Sequence, residues 1–216
     1  MCIRDRSVPS VVKKVGGLRW GIFSLMGANP SLKDQDRDWK VLDPVSTGKK
    51  VVEELQGKAD IIILLAAMPL RELRALLPQL PGITFAVAGD NPSGLSRPLQ
   101  VGHTIVVSSN AYGRYLGVLS LTLRDPTALF VDEARIIQLE RELDVLEGKI
   151  KQGKSGSFVE QKQKVEADLE ALKRGNSYHN ELIRLSSKFR EDQGVSELVK
   201  EFSVQMQELN KGCSAQ

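Results

Sequence analysis

Apolar positions along the chain change their period near residue 130. Before that point short apolar runs alternate with amphipathic stretches, the pattern of an α/β layer architecture. "GLRWGIFSLMG" predicts a strand from Leu18 to Leu25. Asp43 followed by Pro44 predicts an N-cap and the first helical position of a helix that ends at Leu55, because proline there gives up no needed N–H. Ala59 to Leu65 then reads as a buried strand, Pro69 to Leu77 as a short helix with Leu70, Leu73 and Leu77 inward, and Ile83 to Ala88 as a third strand. Beyond a loop rich in glycine and proline, "HTIVVSS" and "RYLGVLSLTLRD" predict two more strands, with an antiparallel ribbon as their simplest pairing. In the second of these, Leu116 and Val118 alternate in one phase and Leu121 and Leu123 in the other, around a pleat irregularity.

After residue 130 the spacing becomes helical. Ile136, Leu139, Leu143, Leu146 and Ile150 form a heptad seam and predict one helix over Asp132 to Lys151, with acids in its first turn and Lys149 and Lys151 in its last. Gly153 is expected to stop it, and Ser157 with Glu160 reads as a capping box opening a second helix. Phe158, Val165, Leu169 and Leu172 line one face of that helix, and Lys173-Arg174-Gly175 closes it. Two short arms of this kind are stable only when packed on each other, which implies an antiparallel coiled-coil hairpin.

Charge sharpens the boundary. Residues 130–211 carry 14 basic and 16 acidic side chains, whereas the other 134 residues carry 16 and 11, so the helical region is the more charged structure. The net charge of +3 is too small for a clustered basic footprint, which argues against nucleic acid as a partner. The longest apolar run, Ile61 to Met68, is far shorter than the roughly 20 residues of a membrane-spanning helix. Cys2 and Cys213 lie at opposite ends and suggest neither a disulfide framework nor a metal site. "MCIRDRS" has charges where a secretory signal has an apolar stretch, and it resembles translated adaptor sequence.

Three segments in order, "KVLDPVSTGKKVVEELQGKADIIILLAAMPL", "LPGITFAVAGDNPSG" and "GHTIVVSSNAYGRYLGVLSLTL", resemble the calcineurin-like metallophosphoesterases of the 5′-nucleotidase and UDP-sugar hydrolase type. The most specific piece is Asn110 to Gly117, and "SYHNELIRLSSKFREDQGVSELVKEF" resembles the returning strand and terminal helix of the same family. The resemblance implies a partial metallophosphoesterase-like layered α/β sheet, formed by residues 11–125 and 176–210. An inserted antiparallel coiled-coil hairpin at 130–175 would interrupt it, between a leader at 1–10 and a disordered tail at 211–216.

The resemblance also implies chemistry. Complete members hydrolyse phosphate esters such as nucleotides with two divalent metal ions, which activate water and clamp phosphoryl oxygens. Three ligand blocks of such a site are absent from this chain. Two others fall within it, where a strand-end histidine position is Ala67 and a Gly-His-x-His position is Gly89-Asp90-Asn91-Pro92. Alanine and proline side chains hold no metal, so of Ala67, Asp90 and Pro92 only Asp90 offers a ligand atom. Asp90 is either a relic ligand or an ordinary turn residue, since Asx side chains bond nearby backbone N–H groups.

No other residue adds chemistry on sequence grounds. His103 and His179 each lack a second ligand at metal spacing, and Arg114 reads as a sheet-surface residue before it reads as a phosphate ligand. Ser108-Ser109 and Ser186-Ser187 lack a histidine and acid at recognisable spacing, and the glycines form no phosphate loop. The expectation is a degenerate or fragmentary family member, inactive and without cofactor as an isolated chain, with no residue assigned to catalysis or substrate binding. The alternative is a non-catalytic interaction or scaffold module, in which Ile137 and Val145, off the seam, offer a surface to a protein partner or to a second hairpin. An extension past Cys213 into a haem-binding Cys-x-x-Cys-His segment is a third reading. A periplasmic or extracellular location follows only from the family.

Overall fold

The computed structural model describes residues 9–27, 42–91, 93–109, 113–125, 128–152, 156–186 and 188–213. The chain divides into two compact units, one ending at Ile183 and the other beginning at Arg184. Through the first run β1 (Ser10–Val15), β2 (Leu18–Met26), α1 (Pro44–Leu55), β3 (Ile61–Pro69), α2 (Leu70–Leu76), a 3-10 turn (Leu77–Gln79), β4 (Phe85–Asp90), β5 (Leu99–Val101), β6 (Thr104–Val107) and β7 (Tyr115–Thr122). These are followed by β8 (Phe130–Asp132), α3 (Glu133–Lys151), α4 (Ser157–Arg174) and β9 (Asn176–Arg184). The second unit is built on α5 (Gln193–Cys213), whose Val195, Leu198, Val199, Phe202 and Met206 are exposed along one side.

A six-stranded sheet in the order β1-β2-β3-β4-β6-β5 forms the middle layer. Its inner strands β2, β3, β4 and β6 are parallel, while β1 and β5 add antiparallel edges. Each inner strand is apolar on both faces, so both faces must be covered. Alternate residues Phe23, Leu25, Ile62, Leu64, Ala66, Ala86 and Val106 pack under α1 and α2, together with Val52, Leu55, Leu73 and Leu76. The other set, Ile61, Ile63, Phe85 and Ile105, packs against a three-stranded sheet in the order β7-β9-β8 through Leu119, Leu121, Phe130 and Tyr178. Phe85 and Phe130 meet edge to face, with ring centroids 5.1 Å apart.

Local chemistry explains where these elements start. The Asp43 carboxylate accepts from the Ser46 N–H at 2.7 Å, and Pro44 opens α1 as its sequence predicts. α1 lies close on the sheet because Gly48 has no side chain; a Cβ there would sit 2.7 Å from Leu80 Cδ1. Asp60 does not join β3. Its carboxylate instead accepts from the Arg19 backbone N–H and Nη2, both at 2.7 Å, while its own N–H donates to the Arg19 carbonyl. These bonds hold the Asp60 carboxyl below its ordinary range, the guanidinium hydrogen bond contributing most.

Several elements differ from their sequence readings. β3 runs on to Pro69, because Ala66 and Met68 continue the alternation beneath the helices; a register shift then sets Pro69 opposite Asp90. The expected ribbon of the two late strands does not form. β6 joins β4 and β5 in the large sheet, anchored by Thr104 Oγ1 donating to the Ile83 carbonyl at 2.8 Å, whereas β7 belongs to the smaller sheet. The capping box is absent too: Gly156 is the N-cap of α4 and Ser157 is already helical, so no side chain caps that end. Ser10 belongs to β1 rather than to a leader, and Lys211 to Cys213 continue α5 rather than forming a tail. Residues 1–8, Gly153 and residues 214–216 lie outside the described residues.

α3 and α4 run antiparallel, since Glu140 early in α3 pairs with Lys173 late in α4 at 2.7 Å and Glu147 pairs with Lys162 at 3.0 Å. Leu139, Leu146, Val165 and Leu169 are buried between them, with Ile136, Leu143, Phe158 and Leu172 partly covered. The pair is rooted in the smaller sheet. Asp132 ends β8 and caps α3, its Oδ1 accepting from the Ala134 N–H at 2.9 Å, and Gly175 alone separates α4 from β9. β8 and β9 lie parallel with Phe130 opposite Asn176 and Asp132 opposite Tyr178, and Ser177 Oγ donates to Glu133 Oε1 at 2.9 Å.

Tyr178, 7% exposed, has its phenol pushed up to about 12 by burial and then by the charge of Asp132. A raised value means that the folded state holds the phenolic proton more tightly than the unfolded chain. Its contribution is therefore intact below pH about 10 and is lost as pH rises from there toward 12, by at most about 3 kcal/mol. Denaturant midpoints measured across this window should fall, and Tyr178→Phe should flatten that fall. An alkaline limb unchanged by the substitution would assign the loss to other groups.

Candidate functional site

In a sheet of this kind ligands are expected at the carboxyl ends of the parallel strands, where the following loops converge. Those ends bring together Gly27, Ala67, Asp90 and Ser108. The Gly27 N–H donates to the Ala67 carbonyl at 3.0 Å, and the Glu72 carboxylate closes over Gly27, with Oε2 2.7 Å from where a Cβ would stand. Ala67 points its methyl to the face that carries Leu65, and Asp90, exposed, is the last residue of β4 rather than part of the turn. Ser108 is buried and committed to backbone, its Oγ donating to the Ala88 carbonyl at 2.9 Å. Asn91 follows with a buried Nδ2 that has no hydrogen-bond partner. Pro92 lies outside the described residues.

The histidines are elsewhere. His103 sits exposed in the β5–β6 turn, about 23 Å down the strands from Asp90 at roughly 3.3 Å per residue, beside a cleft of about 170 Å³ that also touches Asp60 and Thr84. His179 is exposed on β9. Arg114 precedes β7, and Ser186 lies in the second unit, with Ser187 outside the described residues. Among the described residues no three His, Cys, Asp or Glu side chains gather where they could hold a metal ion. A bridged metal pair needs carboxylate and imidazole ligands on both ions, so the side chains described at these strand ends do not fit one.

A second concavity is one that sequence patterning did not reveal. A cleft of about 500 Å³ opens between the two sheets, lined by Trp20, Phe85, Val87, Tyr115, Leu119 and Asn180 among others. Its signal lies in the alternation of β7 and β9, whose inward residues can be named only once both strands are placed in the smaller sheet. Among the described residues no helix is long and apolar enough to cross a membrane.

Helices on one face of a mainly parallel sheet and a second sheet on the other give the chain a calcineurin-like fold of the 5′-nucleotidase type. A candidate 5′-nucleotidase from Staphylococcus aureus, solved with α-ketoglutarate, superposes over 90% of this chain and 33% of its own with a TM-score of 0.51 and 14% identity. In sequence, 85 residues are 27% identical to YunD of Bacillus subtilis, an uncharacterised metallophosphoesterase; they make up 39% of this chain and 18% of YunD. A 5′-nucleotidase precursor from Thermus thermophilus is 25% identical, covering 55% of this chain and 27% of its own at a TM-score of 0.45. No family model matches the chain. The chain thus spans about a fifth of the length of YunD and a third or less of these two solved proteins.

Proposed function

We propose that this chain is a part of a metallophosphoesterase of the 5′-nucleotidase type, carrying the later strands of the catalytic fold but a degenerate share of its ligands. The observation that supports the reading is the strand-end cluster: Ala67 and Asp90 lie on neighbouring parallel strands near their carboxyl ends, where the described side chains offer the carboxylates of Asp90 and Glu72 but no imidazole. The complete form would hydrolyse phosphate esters such as nucleotides with two divalent metal ions, outside the cytoplasm as the resemblance implies, and the chain alone is inactive. α3 and α4 are read as a coiled-coil insertion between β8 and β9, leaving residues 11–125 and 176–210 as the catalytic-fold portion.

Calorimetric titration of the purified chain with manganese or zinc should show no tight stoichiometric site, and nucleotide turnover should stay at background. Two equivalents bound at micromolar affinity, with turnover abolished by Asp90→Ala, would establish an intact centre and refute the degenerate reading. Weak binding to exposed carboxylates, unaffected by Asp90→Ala, agrees with it.

A further inference from the structure

The arms and the sheets bury separate apolar cores. The cluster between α3 and α4 shares no residue with the two clusters of the sheets, and among the described residues no ion pair joins an arm to a sheet. Apolar burial therefore holds the arms to each other and leaves their direction relative to the sheets to the junction. α3 leaves β8 directly after Asp132, and α4 returns to β9 through Gly175 alone. A rigid body attached at two points keeps one freedom, rotation about the line between them, which here tilts the arms toward or away from the smaller sheet. The bonds at the attachments, Asp132 Oδ1 accepting from the Ala134 N–H and Arg124 Nη1 donating to the Gly175 carbonyl, both at 2.9 Å, lie at the ends of that line and give little leverage against the tilt.

One contact stands off that line. Side chains alternate between faces along β9, so Ser177 points away from Tyr178, whose ring packs on the large sheet. Ser177 is nonetheless only 2% exposed, and its Oγ donates to Glu133 Oε1, in the first turn of α3, at 2.9 Å. The hydroxyl and the carboxylate thus meet on the outer face of the smaller sheet, where a tilt of the arms pulls them apart. Separation leaves a buried hydroxyl without a partner, a state that folded proteins avoid. Among the described residues no other side-chain hydrogen bond connects an arm to a strand beyond the junction residues themselves.

We propose that the Ser177–Glu133 hydrogen bond is a latch that fixes the direction of the hairpin, and that with the latch open the hairpin tilts about its two roots as an intact body. The far end of α3 lies about 28 Å from its root, at 1.5 Å per residue over 19 residues, so a tilt of about 20° carries it through about 10 Å. One hydrogen bond thus decides where the outer faces of the arms are presented, with no change in the arms themselves.

The test is a distance distribution measured by pulsed electron spin resonance on the full chain with Cys2→Ser and Cys213→Ser. One spin label is placed at Lys151→Cys, at the end of α3, and the other in turn at Lys13→Cys on β1 and at Lys50→Cys on α1, all exposed positions. The parent should give one narrow distribution for each pair. Ser177→Ala should broaden at least one of them twofold or more while helical circular dichroism stays unchanged. Glu133→Gln keeps a carbonyl oxygen where Oε1 accepts and should stay narrow, which separates loss of the bond from loss of a charge that favours the start of a helix. The proposal is overturned if Ser177→Ala keeps the parent width in both pairs, or if the parent is already broad. It is equally overturned if Glu133→Gln broadens as much as Ser177→Ala, or if broadening comes with lost helical ellipticity, the signature of arms that melt rather than tilt.

Discussion

Replacing Asn176 by alanine is expected to destabilise the first unit by about 3–5 kcal/mol, in the range reached when a fully buried hydrogen-bond network loses its centre. Asn176 is fully buried and uses its whole amide. Oδ1 accepts from the Arg124 and Asp125 N–H groups at 2.8 and 3.0 Å, while Nδ2 donates to the Asp125 and Ala128 carbonyls at 2.6 and 2.7 Å. One side chain thus ties the exit of β7 to the start of β9 across some fifty residues of sequence. Alanine leaves two backbone donors and two acceptors without that partner. Asn176→Asp is expected to be damaging as well, since a carboxylate keeps the two donors but faces two carbonyl oxygens. Urea unfolding followed by Trp20 fluorescence measures both, and a loss below about 1 kcal/mol for alanine would mean that water replaces the amide.

Leu139→Asp is expected to melt α3 and α4 while the sheets stay folded. Leu139 is 2% exposed at the centre of a cluster formed only by residues of these two helices. A buried carboxylate there costs several kcal/mol, more than a pair of helices of 19 and 18 residues holds in reserve. About half of the helical ellipticity should vanish, with Trp20 emission and the urea midpoint of the sheets nearly unchanged. Coincident loss of both signals would show that the helices and sheets fold as one unit.

The readable parts of the fold are those where one pattern settles the structure. Asp43-Pro44 specifies the start of α1 because cap and proline act locally, and the heptad residues specify which faces of α3 and α4 meet because the arms have little else to bury. What escaped depends on distant partners. β8 is three residues, Phe130 to Asp132, too few to show a period, and it exists because Phe130 packs on Phe85 while Asn176 holds its neighbour. β6 and β7 each look able to join the other; their separation is decided by Thr104 and Ile105 bonding to the residues before β4. The Ser157 capping box failed by one residue, the usual uncertainty of a helix end. At the candidate site, Ala67 and Asp90 were singled out through resemblance alone; Asp90 ends β4, whereas β3 continues two residues beyond Ala67. The cleft was not, because its walls come from six strands that only the folded sheets bring together.

The manner in which α3 and α4 join the smaller sheet has a consequence for length. Their roots, Asp132 and Asn176, lie on adjacent strands only two residues out of register, and nothing in the apolar cluster between the arms belongs to either sheet. Removing or adding seven residues in each arm keeps the seam in phase and returns both chains to the same two points. Variants of this chain that gain or lose one heptad in both arms are therefore expected to change the reach of the arms by about 10 Å, at 1.5 Å per residue, with Asn176, Tyr178 and the strands around them unchanged.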